Sequence, residues 1–488
     1  VRSLLNLGDL IDRSRDASKA ALIDLGGERP PRELSYRALD RQANGYARLL
    51  AHRGLAGGSR VAILSANRGE FVAACFGIMR AGLVAVPVNL KFPPRLIDYV
   101  LADSDAELVL CDSARRAHVP ARLPVLEFGG ETPGADAFDS VQPEPRQSAM
   151  FLYTSGSTGE PKGVVLSHES HLWVVKTRLA GKDWSSQRLL VAAPLYHMNA
   201  LALAQFAAAA HATVVLLPQF TARTYIDAVE RYRCTWLTAV PPMMAMMLRE
   251  RELLERTDLS SVQIIRMGSA PVSASLMAGL RHYFPRASIV NAYGTTEAGP
   301  VVFAPHPKGL QQPETSVGYP HPQVELRLAD GVLQMKCPAL MTEYHKKPEA
   351  TRKAFTGDGY YITGDVFRRD EQGFYYFLGR TDDMFVSGGE NIYPSEVEKM
   401  LEMHPAVEQA AVIAVPDDIK GAKPVAFVVL KRGRELNEEE IKHYALENAP
   451  AYQHPRRVWF LEELPLAGTN KIDRKALAQR AQKEMATP

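Results

Sequence analysis

Between residues 60 and 112, short aliphatic runs alternate with longer stretches whose apolar residues recur every three or four positions. Residues 61–64 have the unbroken apolar character of a strand buried on both faces, and residues 70–80 the period of a helix packed on it. Gly82 is placed as a left-handed stop before a strand at 84–86. A helix around 96–101 then leads to a strand at 108–110. This βαβ rhythm predicts a parallel sheet covered by helices. It returns further on, where helices at 171–179, 200–210 and 225–232 alternate with strands at 189–192, 213–217, 235–240, 263–267 and 288–291. Two similar sheets in succession are expected.

Around 318–370 the texture changes to short alternating stretches broken by Gly and Pro, which predicts a small antiparallel unit. Beyond residue 380 the chain reads as a compact α+β tail. Pro394 opens a helix whose Val397, Met400 and Leu401 share one face, and Pro405 ends it. Strands at 411–415 and 425–430 follow. Asn437 then caps a helix, with Glu440 at the capping-box position and Leu436 set to staple against Ile441. The expected fold is therefore α/β: an N-terminal domain, 1–381, of two βα sheets and a small β unit, then a mobile α+β domain, 382–488, hinged at Asp382.

Composition narrows the function only by exclusion. With 57 Lys+Arg against 55 Asp+Glu the net charge is +2, and no basic block or amphipathic basic stripe stands out, so neither nucleic acid nor an anionic membrane surface is an expected partner. The four cysteines, Cys75, Cys111, Cys234 and Cys337, are scattered singly, which argues against zinc and disulfides. No secretory signal or transmembrane stretch is apparent, because polar residues such as His197, Asn199 and Gln205 interrupt the longest apolar region, 190–220. A cytoplasmic protein is expected, with room for a homodimer.

The most informative segment is 153–163, Tyr-Thr-Ser-Gly-Ser-Thr-Gly-Glu-Pro-Lys-Gly, which follows the strand-like 150–152. Gly156 and Gly159 let backbone N–H groups turn into one concavity. The hydroxyls of Thr154, Ser155, Ser157 and Thr158 add donors and Lys162 adds charge, a combination suited to phosphate oxygens. A Walker P-loop would need Gly-Lys-Ser/Thr, whereas Pro161 precedes Lys162 and Gly163 follows it.

Six further runs appear in order: Pro-Leu-Tyr-His-Met-Asn at 194–199, Gly-Ser-Ala-Pro at 268–271, Asn-Ala-Tyr-Gly-Thr-Thr-Glu at 291–297, Tyr-Ile-Thr-Gly-Asp at 361–365, Gly-Arg-Thr-Asp-Asp at 379–383 and Lys-Ile-Asp-Arg at 471–474. With them, nearly the whole chain resembles the adenylate-forming superfamily of acyl-CoA synthetases, firefly-type luciferases and peptide-synthetase adenylation domains. The resemblance implies ATP, Mg²⁺ and coenzyme A. It implies that Glu297 holds the metal, that Tyr293 stacks on adenine with Asn291 at its amino edge, and that Gly268, Ala270 and Pro271 wall the other face. Gly294 and Thr296 join this nucleotide site. Asp365 would take the ribose hydroxyls and Arg380 the ribose and phosphate. Lys471 would bridge the substrate carboxylate and the α-phosphate, with Asn470 standing where a glycine is usual. His197 would gate the acyl pocket towards the thiol tunnel, Gly388 and Gly389 would line that tunnel, and Asp382 would be the hinge. Thr158 joins Lys471, His197 and Glu297 among the catalytic residues.

The resemblance also implies an acyl pocket lined by the segment after His197, by the residues just before Gly268 and by 298–303; Ala200, Leu201, Ala298, Val301, Val302 and Phe303 are apolar, which suits a hydrophobic monocarboxylic acid, fatty or aryl. Malonate-type members carry an arginine before the stacking Tyr to neutralise a second carboxylate, and Ala292 stands there here, which counts against a dicarboxylate. The expected activity is AMP-forming carboxylate–CoA ligation through acyl-AMP, with release of pyrophosphate. The alternative is adenylation for a non-CoA acceptor, luciferase-like or by loading a carrier protein in trans.

Overall fold

The computed structural model describes residues 4–26, 30–129, 134–154, 160–268, 270, 272–387, 390–417, 420–468 and 470–486. Strands Ser148–Thr154, Val84–Pro87, Arg60–Leu64, Ala106–Asp112 and Val125–Phe128 lie side by side in parallel, with Lys162–Ser167 and Glu343–Tyr344 added antiparallel at one edge. Helix Gly69–Arg80 is buried along its whole length, which accounts for its lack of a polar face. Gly82 adopts φ 72° beyond it.

A second seven-stranded sheet runs Ser288–Ala292, Ile264–Gly268, Trp236–Ala239, Arg188–Val191, Thr213–Leu216 and Ala20–Asp24 in parallel, with Arg32–Ser35 as an antiparallel edge. The two sheets are therefore not simply successive. The apolar run within Ala20–Asp24 buries its side chains beside Thr213–Leu216, so the start of the chain completes the second sheet. Glu343–Tyr344 returns late in the chain to the first.

Strands Glu325–Ala329, Val332–Lys336, Tyr361–Arg369 and Tyr375–Arg380 form an antiparallel sheet. Its last strand extends to Arg380, beyond the region where the alternation was evident. The tail then builds a three-stranded sheet from Val407–Asp417, Gly421–Leu430 and Val458–Leu461. Helices Pro394–Glu402 and Glu438–Asn448 cover one face and Arg474–Ala486 the other, and both cores consist of residues after 382. The capping box forms as expected, Glu440 N–H to Asn437 Oδ1 at 3.0 Å and Asn437 N–H to Glu440 Oε2 at 2.8 Å. Tail meets body through Arg249 Nε and Glu408 Oε1 at 2.6 Å. All four cysteines are buried and free. No helix among the described residues is long and apolar enough to cross a membrane.

Candidate active site

Both seven-stranded sheets, the four-stranded sheet and the tail border a cavity of about 1720 Å³. Small-molecule pockets usually hold roughly 300–1,000 Å³, so more than one ligand fits. Thr154, Lys162, His197, Gly268, Ala270, Asn291, Tyr293, Gly294, Thr296, Glu297, Asp365, Arg380, Asp382 and Lys471 all line it. Ser155, Gly156, Ser157, Thr158, Gly159, Pro271, Gly388 and Gly389 lie outside the described residues.

Strand register sets Asp365 opposite Arg380. Arg380 Nη1 reaches Asp365 Oδ1 at 3.0 Å, while Nε and Nη2 hold the two oxygens of Asp382 at 2.7 and 3.1 Å. The Tyr293 hydroxyl donates to Asp365 Oδ2. Asp365 is 4% exposed, and burial lifts its carboxyl above the usual range against the pull of Arg380. Burial lowers the Arg380 guanidinium, but Asp382 and Asp365 outweigh it and hold the charge. A carboxylate so placed can exchange its Tyr and Arg donors for two vicinal hydroxyls.

Tyr293 is fixed edge-on against Phe367, with centroids 4.9 Å apart. Asn291 uses its NH₂ on the carbonyls of Thr315 and Ser316 at 3.3 and 3.2 Å, so its amide oxygen is the atom left to accept from an amino group. A Cβ at Gly268 would lie 2.8 Å from Ala292 O, and one at Gly294 2.6 Å from Gly299 O. Backbone contact alone thus demands glycine at both positions.

Thr154 pairs with Lys162 at the start of Lys162–Ser167, so the phosphate-loop segment begins and ends on the cavity rim. Lys162 Nζ sits 5.3 Å over the Tyr344 ring, and the Tyr344 hydroxyl donates to Glu297 Oε1 at 2.8 Å. Tyr344 therefore positions the cation and the carboxylate together. Sequence reasoning missed it, because a two-residue strand leaves no periodicity. Glu297 offers one carboxylate to a hard cation, and no group of three His, Cys, Asp or Glu among the described residues is arranged to hold one. That donor set fits Mg²⁺ carried largely by nucleotide phosphates.

The tail presents Lys471 on a tight turn. Ala467 N–H donates to Lys471 O at 2.7 Å, Asn470 N–H donates to Ala467 O at 2.9 Å, and Asn470 adopts φ 58°. Asparagine tolerates this left-handed geometry, so the turn survives the loss of the usual glycine. A Cβ at Gly468 would lie 3.2 Å from Lys91 Cβ, which shows how closely the turn docks on the body. Lys471 remains open to the cavity. Desolvation by surrounding protein, then Arg380, hold its ammonium below its ordinary value, with Asp365 and Asp383 opposing.

His197 immediately precedes helix Met198–Ala210, and its Nε2 is enclosed without a hydrogen-bond partner. Burial, then Lys471 and Lys91, push the imidazole down to about 4, so it is neutral at pH 7. Among the described residues its own loop gives that Nε2 no partner, so it is not a histidine satisfied by the loop that carries it.

The expected acyl lining needs correction. Ala200, Leu201, Ala298, Val301 and Val302 are packed in the core, Phe303 packs on Tyr293, and none of the six lines the cavity. Helix Met198–Ala210 is buried nearly all round, so its contribution is confined to Met198 and Asn199 in its first turn. The segment just before Gly268 does line the cavity, through Arg266 and Met267, and Ala193, Met198, Val240 and Val272 complete the wall; the arginine is the departure from an apolar lining.

Residues 12–338 match the family described as AMP-binding enzyme, and residues 396–471 match the AMP-binding enzyme C-terminal domain. Feruloyl-CoA synthase of an Amycolatopsis species is 33% identical over 481 residues, covering 95% of this chain and 96% of that protein. Sulfoacetate–CoA ligase of Cupriavidus necator is 30% identical over 478 residues, with 92% of each covered. The crystal structure of the anthranilate CoA ligase AuaEII in complex with anthranoyl-AMP superposes with a TM-score of 0.88 at 26% identity, covering 99% of this chain and 98% of that one.

Proposed function

The chain belongs to the AMP-binding enzyme family, as an acid–thiol ligase of the acyl-CoA synthetase type, and from that premise we propose that it joins a carboxylic acid to CoA in two steps at the one cavity. In the first step a carboxylate oxygen attacks the α-phosphorus of ATP, the bond to the bridging oxygen breaks, and pyrophosphate leaves an acyl-adenylate behind. Two anions must approach each other, and Lys162 and Lys471 offset that repulsion. Mg²⁺ held by Glu297 supplies further neutralisation of phosphate charge. Tyr293, Asn291 and Asp365 orient the nucleoside.

In the second step the CoA sulfur attacks the acyl carbon, the bond to AMP breaks, and AMP departs with the electron pair. The thiol proton goes to His197 Nε2, which burial holds down most and which loses the further depression by Lys471 once that lysine withdraws. Rotation of the domain 382–488 about Asp382, against a body of 1–381, withdraws the lysine. The arrangement described here is that of the first step.

The observation that carries this reading is the meeting, in one cavity, of Lys471 from the tail with Arg380, Asp365 and Glu297 from the body. The apolar wall supports an acid with a hydrophobic body. Acid-dependent pyrophosphate release from ATP, with a thioester formed only when CoA is present, is the expected result with a panel of acids. No acid-dependent release, or a product formed without CoA, would contradict it.

A further inference from the structure

One arginine on the cavity wall, Arg266, and a second near it outside the lining, Arg178, meet no anion among the described residues. Arg266, on strand Ile264–Gly268, lines the cavity, and its guanidinium makes one hydrogen bond among the described residues, Nη2 to Pro300 O at 3.0 Å. Arg178 stands in the last turn of helix His168–Leu179, and its Nη1 is enclosed without a partner among the described residues. No carboxylate among the described residues acts on either group.

Other enclosed arginines of this protein are treated differently. Arg80 meets Asp40 at 2.7 Å, and Arg474 meets Glu398 at 2.6 Å. Leaving a desolvated charge without a countercharge is destabilising, so the missing partner at Arg266 and Arg178 points to a ligand. Burial and then Arg266 push the Arg178 guanidinium down to about 9, and burial pushes Arg266 down to about 10. Both remain protonated at neutral pH, and an anion in the cavity against Arg266 would offset the desolvation that lowers it and the repulsion that Arg178 feels from it. Thr238 adds a third feature. It pairs in register with Arg266 on the neighbouring parallel strand, so its side chain stands on the same face, and its enclosed Oγ1 has no partner among the described residues.

We propose that the acid activated here carries a second oxyanion, a carboxylate or a sulfonate, at the end remote from the reacting carboxylate, and that Arg266 recognises it with Thr238 beside it and Arg178 behind. The inference rests on the ligase reading above and replaces the expectation of a purely hydrophobic monocarboxylate. Ala292 does not oppose it. That residue shows only that no countercharge stands next to Tyr293, whereas Arg266 supplies one on the adjoining strand.

The test is acid-dependent ATP–pyrophosphate exchange by the full-length enzyme with matched acids: α,ω-dicarboxylic acids of graded length, their monomethyl esters, ω-sulfonated acids, and 4-hydroxycinnamate as a phenolic acid. Oxyanion-bearing acids of one length should exceed their monoesters in kcat/KM by roughly 10- to 100-fold, the range of a charge-assisted hydrogen bond. Arg266→Met should collapse that ratio towards one, chiefly by raising KM for the diacid, and Arg266→Lys should keep part of it. Monoesters or the phenolic acid serving the wild-type enzyme as well as the diacids would overturn the inference and leave the ligase reading intact, and this comparison needs no variant to fold. A ratio that survives in Arg266→Met would overturn it too. Exchange with no acid at all would overturn the ligase reading and this inference with it.

Discussion

Arg380 grips Asp382 with two nitrogens, Nε to Oδ1 at 2.7 Å and Nη2 to Oδ2 at 3.1 Å, and so ties the residue where the tail begins to the cation beside the nucleoside site. The remaining guanidinium nitrogen holds Asp365 at 3.0 Å. In the proposed cycle, movement of the tail and grip on the nucleotide would be connected through this one side chain.

Asp382→Pro probes the first half of that connection. Asp382 N–H donates to no acceptor among the described residues, so the ring removes no hydrogen bond here, yet it fixes φ and restricts Thr381. Acid-dependent exchange should survive, while thioester formation from supplied acyl-AMP should fall by roughly a hundredfold, the scale of a misplaced reacting group. Equal loss in both assays would remove Asp382 as the pivot.

Arg380→Met probes the second half. Asp365 already titrates above the usual carboxylate range because it is buried, and Arg380 is the charge that opposes the shift. Without it the carboxyl rises further, and a protonated acid accepts ribose hydroxyls poorly. KM for ATP should increase, and more at pH 6 than at pH 8. A pH-independent defect would mean that Arg380 acts on phosphate alone.

Much of this architecture was legible in the chain. The βαβ body announced itself because a buried parallel strand and the helix on it differ in length and period, as in Arg60–Leu64 and Gly69–Arg80. The turn that presents Lys471 was legible because Asn470 is one of the few residues suited to φ 58°. Glu343–Tyr344 was not, since its pairing with Lys162–Ser167 is long-range and only two residues long. Arg266 lies in the segment expected to line the pocket just before Gly268, but the expectation of an apolar lining left out its charge in the middle of the otherwise apolar run Ile264–Gly268. An arginine in a buried strand has to be paired or functional, and that question leads to the cavity wall. The apolar residues expected there were misplaced because motif order says which segment is near a site, not which face of a helix it presents.

Tyr344→Phe separates two contacts of one ring. The aromatic face under Lys162 is kept, while the hydrogen bond to Glu297 at 2.8 Å is lost. Removing such an outer partner of a metal ligand typically weakens metal binding about 10- to 100-fold. The Mg²⁺ concentration giving half-maximal exchange should rise by roughly tenfold, with little change in KM for the acid. An unchanged Mg²⁺ requirement would exclude Glu297 as the metal ligand.

Three enclosed histidines set the response to acid. Burial holds His168 and His197 down to about 4 and His171 to about 3, against an ordinary value of 6.5. Between about pH 6.5 and 4 these three groups bind more protons in the unfolded chain than in the folded one, so their contribution to stability falls with pH through that window, whereas Glu402, lifted by burial to about 8, acts in the opposite direction. His168 also accepts the Leu7 N–H on Nδ1 at 3.1 Å, a bond that protonation removes. Its share is on the order of 2–3 kcal/mol. The melting temperature should drop between pH 7.5 and 5, and His168→Gln, which can accept but does not titrate, should drop less.

The central claim, that one cavity performs two half-reactions with Lys471 serving only the first, is tested most directly by assaying Lys471→Ala in both. Acid-dependent pyrophosphate exchange should fall by roughly a hundred- to a thousandfold, the range for removing one group that stabilises transition-state charge. Thioester formation from supplied acyl-AMP and CoA should stay within a few-fold of the wild type. Equal loss of both activities, or loss of neither, would contradict the account.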